Sequence, residues 1–295
     1  MSIHYSAEVA AALKSGAPIV ALESTIISHG LPRPSNLSVA IEVEEIVRAH
    51  GAVPATIAIL DGRICVGLEA DQLKEIANRD DIAKASIRDL AMASALKSSA
   101  ATTVAATSHI AGLAGIKVFA TGGLGGVHRG ANESFDESAD LGALGKLDIA
   151  IVCAGVKSIL DVGATLERLE TLSIGLVGYK TNAFPGFYLT DSGFTLEHRA
   201  DSAQEIAAII KARRELKTDS TALVIANPVK EEMDRTRHDA ILASGLAGAT
   251  AQGITGKAVT PFLLEHFHTA SHGESLKVNI EIIKSNSALA ADISP

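Results

Sequence analysis

The sequence predicts an α/β fold in which helices cover both faces of a largely parallel sheet. Short apolar runs recur along the chain, and segments with helical spacing lie between them. Most of these runs lack apolar–polar alternation, the pattern of strands buried on both faces. One long polar, glycine-rich stretch interrupts the alternation, from Gly122 to Asp140 (GGLGGVHRGANESFDESAD). A connection of that length is usually functional in a compact protein.

The elements follow in order. Pro18–Leu22 (PIVAL) is the first expected strand. Ser35–His50 follows as a helix, with a cap at Pro34–Ser35, Leu37, Ile41, Ile46 and Val47 near one face, and Gly51 as its stop. Ala52–Leu60 (AVPATIAIL) is a strand and Ala70–Asn78 a helix. Arg88–Gly112 reads as a long helical stretch with breaks inside it. Ile116–Ala120 (IKVFA) is a strand that leads into the glycine-rich loop. Asp148–Cys153 (DIAIVC) is a strand, Val156–Glu170 a helix and Ile174–Val177 (IGLV) a strand. Ser202–Leu216 is a helix and Ala222–Ala226 (ALVIA) a strand. Lys230–Thr250 and Gly256–Ser271 are helices. Lys277–Ser285 fits either state and is taken as helix. No internal repeat, low-complexity tract or long linker is visible.

Composition excludes several classes. The chain has 295 residues and a net charge of −8, against the basic surface of a general nucleic-acid binder. A local phosphate pocket needs only a few basic residues and stays open. Aromatic residues make up 3% and tryptophan is absent, which argues against a stacking platform for single strands. With 47% hydrophobic and 20% charged residues the chain has a globular composition, and its length allows one large domain or two. Cys65 and Cys153 sit in apolar runs and are too few for a disulfide framework or zinc site, so two buried thiols in a reducing compartment are expected. The start, MSIHYSAEVAAALKSG, lacks the basic segment and apolar core of a signal peptide. No run approaches the ~18 apolar residues of a membrane span. A soluble cytoplasmic protein is expected, without a nucleic-acid or membrane partner.

Candidate chemistry collects at strand ends, where parallel α/β sheets hold their ligands. Glu23 follows Pro18–Leu22 directly. A carboxylate there, with an apolar strand behind it, is expected to have a raised pKa and to suit a general acid. It would equally serve as a cap or a cation partner. The loop Thr121–Gly130 follows another strand, and its glycines allow backbone N–H groups to crowd around an anion or planar ligand. It is neither a Walker A loop nor a dinucleotide fingerprint. His128 within it suits hydrogen bonding to a ligand or plain solvent exposure. Asp136 and Asp140 would share a face if their segment is helical, and such oxygen ligands suit Mg²⁺ or Mn²⁺; acidic decoration of a helix start is the competing reading. Lys157 follows Asp148–Cys153 in apolar surroundings, a setting for a Schiff-base nucleophile, though an exposed helix-start lysine is commoner. Lys84, Arg88 and Thr102-Thr103-Val104 would furnish a phosphate pocket from a lysine, a hydroxyl and a helix start. Lys180–Pro185 is a further candidate wall. His266 and His268, near Glu265 and His272, do not match HExxH and read as a solvated helix end.

Taken together, these segments resemble the pseudouridine-5′-phosphate glycosidase family, which includes indigoidine synthase A-like proteins. The matching text is ALESTIISHGLPRPSNLSVAIEVE, GAVPATIAILDGRICVGL, KASIRDL, TTVAAT, FATGGLGGVHRGANESFDESADL, CAGVKSILDVGATLERLET and VGYKTNAFPGFY. The likeness runs from Ala21 to Phe194 and more loosely through Asn227–Val229 to KVNIEIIKSN near the C-terminus. The wording differs at Asn132 and Glu137, which removes no matched functional residue.

The resemblance implies a single domain over 1–295, a three-layer α/β/α fold with a largely parallel or mixed central sheet, and a homotrimer. It implies reversible cleavage of the C–C glycosidic bond of pseudouridine 5′-phosphate to uracil and ribose 5-phosphate, through a lysine imine with ring-opened ribose. It implies one divalent metal per subunit, Mn²⁺ with Mg²⁺ as the alternative. Residue by residue, Glu23 matches the proton donor, Lys157 the nucleophile and Asp136 the metal position. Lys84, Thr103, Val104 and Ser138-Ala139-Asp140 match substrate contacts around the phosphoribosyl part. Thr121, His128 and Asn279 match positions near the base. Two other readings remain: a Schiff-base sugar-phosphate aldolase or lyase, and a non-catalytic phosphonucleoside-binding protein. Product analysis separates the first, since only the glycosidase releases uracil. Loss of Glu23 or Lys157 would favour the second, and both are present. A nicotinamide-dependent enzyme is disfavoured by the glycine pattern.

Overall fold

A computed structural model describes residues 3–255 and 258–294. Among the described residues eleven strands form one sheet: β1 Ile3–Tyr5, β2 Ile19–Glu23, β3 Val53–Leu60, β4 Arg63–Val66, β5 Ala83–Ala85, β6 Ala100–Thr102, β7 Val118–Ala120, β8 Ala150–Cys153, β9 Gly175–Tyr179, β10 Arg199–Ala200 and β11 Leu223–Ala226. The main path runs β1-β4-β3-β2-β7-β8-β11-β9-β10, with β6 pairing β3 and β5 pairing β6. Pairing is parallel except where β3 meets β4 and β6. The sheet is therefore mixed but mainly parallel.

The helices are α1 Ala7–Ser15, α2 Ser35–Ala49, α3 Ala70–Asn78, α4 Leu90–Ala95, α5 Val104–Leu113, α6 Ala131–Ser134, α7 Ala139–Leu144, α8 Val162–Thr171, α9 Ala203–Glu215, α10 Arg235–Ala251, α11 Val259–Ala270 and α12 Glu274–Ile293. They pack on both faces. Val20, Leu22, Val118, Ala120, Val152 and Ile225 point to one side, where α2, α9 and α12 bring Val43, Val47, Ile206, Ile283 and Leu289. Ala21, Phe119, Ile151, Cys153 and Val224 point to the other, against Val9, Ile110, Leu141 and Leu169 of α1, α5, α7 and α8. Both faces of each central strand are thus covered, which is why the strand sequences are apolar without alternation. Cys65 and Cys153 are buried free thiols. Among the described residues no helix is long and apolar enough to cross a membrane.

Several boundaries differ from the sequence expectation, each for a physical reason. Arg88–Gly112 is not one helical stretch: α4 ends, β6 intervenes, and α5 begins only after Thr103. The alanine-rich run has good helix propensity, but Ala100 and Ala101 are claimed by pairing with β3, a tertiary choice that propensity does not encode. The helix expected from Val156 starts at Val162, capped by Asp161, whose side chain accepts from the Ala164 amide. Val156 to Leu160 instead wraps around the site. Lys230–Thr250 shortens to α10, capped by Asp234. The helix expected at Gly256–Ser271 begins on Gly256 and Lys257, which lie outside the described residues; its remainder is α11. Lys277–Ser285 is the middle of α12, a helix of 20 residues with one face buried on the sheet.

Candidate active site

The carboxyl ends of β2, β7 and β8, three adjacent strands, converge on a cavity of about 310 Å³. That volume falls within the usual range of small-molecule sites. Glu23 ends β2 and faces it. The Thr121 hydroxyl donates to Glu23 Oε1, and Ser24 beside it is anchored through its hydroxyl to the Ile57 carbonyl at 2.7 Å. Burial pushes the Glu23 carboxyl above its ordinary value; the charge of Lys157 and the Thr121 hydrogen bond oppose that shift. Lys157 reaches the same cavity from the segment after β8, and its Nζ donates to the Gly123 carbonyl at 2.7 Å. An acid and an amine, near enough to feel each other's charge, thus share one cavity.

The glycine-rich loop forms its floor. Gly155 adopts a left-handed conformation (φ 77°), and a Cβ there would strike the Pro185 carbonyl. At Gly125 a Cβ would strike Ser138 and Asp140. This close approach lets the Gly125 amide donate to Asp140 Oδ2 at 2.9 Å, while the Ala105 amide donates to Oδ1 at 2.9 Å. Asp140 therefore ties the loop to the first turn of α5. The expectation that Asp136 and Asp140 share a helical face is not met: Asp140 opens α7, whereas Asp136 precedes it in irregular chain. Asp136 faces the cavity, with Oδ2 3.7 Å from His128 Nδ1.

Part of the cavity lining is cationic and polar. Lys84, Ser86 and Arg88 form it together with Thr103 and Val104 at the start of α5, where Thr103 caps by accepting from the Ala106 amide. The break at β6 creates this helix start, the feature that the sequence reading of Thr102-Thr103-Val104 as a phosphate pocket requires. His128, Ser138, Ala139 and Asn279 also line the cavity. Thr121 does not; it is fully buried behind Glu23. Lys180–Pro185 supplies no lining residue, and His266 hydrogen-bonds Ser244 away from the cavity.

Sequence reasoning missed several participants. His29, on a π-helical turn at Ile26–Gly30, lines the cavity; partial burial lowers its pKa, opposed by a hydrogen bond to the Ala83 carbonyl and reinforced by Lys84. Phe187 presses against Gly122 and Gly123 from a strained positive φ of 63°. Asn286 of α12 donates to the Thr121 carbonyl at 2.7 Å and is held by the Asn227 amide at 2.9 Å. The TNAFPGFY segment was legible as text, but only the fold brings Phe187 to the loop.

Among the described residues no group of three or more His, Cys, Asp or Glu side chains is arranged to hold a metal. Asp136, Glu137 and Asp140 all line the cavity; Glu137 is engaged by Arg168 at 2.6 Å and Asp140 by two amides, which leaves Asp136 as the one of these three whose carboxylate is held by neither an arginine nor a backbone amide. One carboxylate suits a hard, largely hydrated cation such as Mg²⁺ or Mn²⁺ that completes its shell with water and substrate oxygens. The residues fit such an ion.

A three-layer α/β/α sheet with an acid and an amine facing one anion-receptive cavity is the frame of a small-molecule enzyme. Residues 8–295 match the family model described as indigoidine synthase A like protein, and the chain belongs to that family. The pseudouridine-5′-phosphate glycosidase of Salinispora tropica is 59% identical over 293 residues, covering 99% of this chain and 90% of that protein. The enzyme of the same name from Geobacillus kaustophilus is 50% identical, with 98% and 96% covered. Among solved structures, an indigoidine synthase A-like protein from Thermotoga maritima aligns with a TM-score of 0.89 at 35% identity, covering 99% of this chain and 94% of that one. The prealnumycin C-glycosynthase AlnA in complex with ribulose 5-phosphate aligns with a TM-score of 0.90 at 34% identity, covering 99% and 96%.

Proposed function

We infer that this enzyme reversibly cleaves the C–C glycosidic bond of pseudouridine 5′-phosphate, giving uracil and ribose 5-phosphate. The observation that carries the reading is that Glu23 and Lys157 share one cavity whose lining also offers Lys84, Arg88 and the α5 start. The names of the relatives, all pseudouridine-5′-phosphate glycosidases at 50–59% identity, support it.

The residue types suit the bond. A carbon-linked base is a poor leaving group for the two-carboxylate route used on ordinary glycosides. In the proposed route the Lys157 amine attacks C1′, the C1′–O4′ bond breaks, and the ring oxygen leaves as the 4′-hydroxyl after taking a proton. Protonation of the base at its glycosidic carbon follows. The nitrogen lone pair then forms the C1′=N imine as the C–C bond breaks, and that electron pair restores the uracil ring. Water hydrolyses the imine to ribose 5-phosphate and regenerates the amine. Glu23, protonated more readily than an ordinary carboxylate, is assigned the proton donation. Thr121 orients it from behind. Lys84, Thr103, Val104 and Ser138-Ala139-Asp140 are assigned to the phosphoribosyl part, His128 and Asn279 to the base side. Asp136 would hold Mn²⁺ or Mg²⁺, which when bound supplies charge stabilisation and orients water and phosphate. We further propose a cytoplasmic homotrimer with one metal per subunit.

The test is uracil release from pseudouridine 5′-phosphate with Mn²⁺, read by chromatography. Wild type is expected to release uracil, and Lys157→Ala to release none while keeping its fold. Borohydride should trap a ribose 5-phosphate adduct on Lys157. Absence of uracil from folded, metal-loaded enzyme would overturn the reading, and an adduct on another lysine would move the nucleophile.

A further inference from the structure

Ser158 follows Lys157 and is buried, as is His238 of α10. His238 Nε2 and Ser158 Oγ lie 2.7 Å apart, and His238 Nδ1 lies 2.9 Å from Asp239 Oδ1. A carboxylate accepts only, so Nδ1 carries the ring proton and Nε2 accepts from the serine hydroxyl. The order Asp–His–Ser matches a nucleophile relay, but neither Ser158 nor His238 lines the 310 Å³ cavity. Substrate does not reach this serine. The pair needs another role.

We propose that His238 and Ser158 are positioning residues that fix the Lys157 amine for attack on C1′, an inference that rests on the function above. Segment 157–161 has no regular structure to hold it. The Lys157 amide donates to the Leu124 carbonyl at 3.2 Å and the Asp161 amide to the Val127 carbonyl at 2.9 Å, so one side is tied to the glycine-rich loop. Arg129 of that loop donates to the carbonyls of Ser158 and Ile159 at 3.2 and 3.3 Å. The Ser158 hydroxyl makes the tie to the helical layer through α10. His238 is itself immobilised: its ring lies 5.2 Å from that of Phe267 and 6.4 Å from that of Tyr188, measured between centroids. Tyr188 adjoins Phe187, which presses on Gly123, whose carbonyl accepts from Lys157 Nζ. The backbone beside Lys157 and the acceptor of its amine are thus braced by one buried cluster. Burial holds the ring neutral; Asp239 opposes this, while Arg235 and Arg129 add to it. Nε2 therefore stays an acceptor.

Ser158→Ala removes the hydroxyl with little change of volume, His238→Leu removes the acceptor, and His238→Gln restores an amide oxygen near Nε2. Misplacing a reacting group by ~1 Å can cost ~100-fold. Ser158→Ala and His238→Leu are therefore expected to lower kcat about 10- to 100-fold with KM nearly unchanged. They should slow borohydride trapping of ribose 5-phosphate on Lys157 by the same factor. His238→Gln should recover most of the rate. Thermal unfolding reports whether each variant is folded. Wild-type kcat and trapping rate in folded Ser158→Ala would overturn the proposal, as would a loss confined to KM or to Tm. If wild type releases no uracil, the functional reading fails instead, and trapping at Lys157 still reports whether the pair positions the amine.

Discussion

Two carboxylates, one at a strand end and one on a helix packed against the sheet, meet different fates. Glu23 ends β2 at the cavity; Glu44 lies on α2 beneath the sheet, and its Oε1 accepts from the Thr56 hydroxyl at 2.6 Å. Burial raises the pKa of both, and in both a threonine hydrogen bond and a cation oppose the shift. The difference lies in the cation and the space around it. Arg48 pairs Glu44 at 3.3 Å and is itself held by Glu8 at 2.9 Å, in an ion-pair network of fixed guanidinium geometry. Glu23 faces an amine that can form a covalent bond, across an open cavity. A perturbed pKa marks burial; chemistry also needs a reactive partner and room for substrate.

That difference predicts different responses to the same substitution. Glu23→Gln should lower kcat by about 10²–10⁴, the usual contribution of a positioned acid or base. Glu44→Gln should leave kcat unchanged. Equal activity losses in the two variants, measured by uracil release, would remove the distinction. The next effect concerns the cationic lining of the cavity: free pseudouridine should show a kcat/KM lower by orders of magnitude than the phosphorylated substrate, because phosphate binding is used at the reacting carbon. Comparable values would deny Lys84 and the α5 start their assigned role. A smaller effect is expected for Asp136→Asn, which should raise the Mn²⁺ concentration needed for half-maximal activity. An unchanged metal titration would place the ion elsewhere.

The smallest expected effect is in stability. A carboxyl whose folded pKa is raised makes the folded state bind more protons, so its stabilisation is complete below the unfolded value and is lost as pH rises through the folded one. Glu44 belongs to this case. Denaturant unfolding of Glu44→Gln should therefore gain on wild type, by about 1 kcal/mol, as pH rises from below 4.5. A gap independent of pH would show that Glu44 titrates normally. Glu23 obeys the same sign, but its signature should also appear in rate: as acid it loses its proton with rising pH, and the basic limb of kcat/KM should disappear in Glu23→Gln.

Legibility in the sequence varied with the range of the interaction. The central strands and α2, α3 and α9 were readable because apolar runs, caps and stops are local signals. The strand-end positions of Glu23 and Lys157 followed from those strands. β1, β4, β5, β6 and β10 went unassigned, since short strands are defined by their partners. Phe187, Asn286 and His238 carried no local mark. Each reaches the site from a distant element, and their side chains read equally well as ordinary core or helix surface.

The sequence by itself determined the layered α/β class, the strands that carry the acid and the amine, and the family, because apolar periodicity and long contiguous motifs survive without knowledge of contacts. Only the tertiary structure decided that Thr121 stands behind Glu23 rather than in the cavity, that Asp140 clamps the glycine loop to α5 while Asp136 faces the cavity, and that β6 interrupts an alanine-rich run to create the helix start at Val104. Those outcomes depend on which groups meet across large separations in the chain. Burial and hydrogen-bond satisfaction are settled there, by neighbours that local patterning does not name.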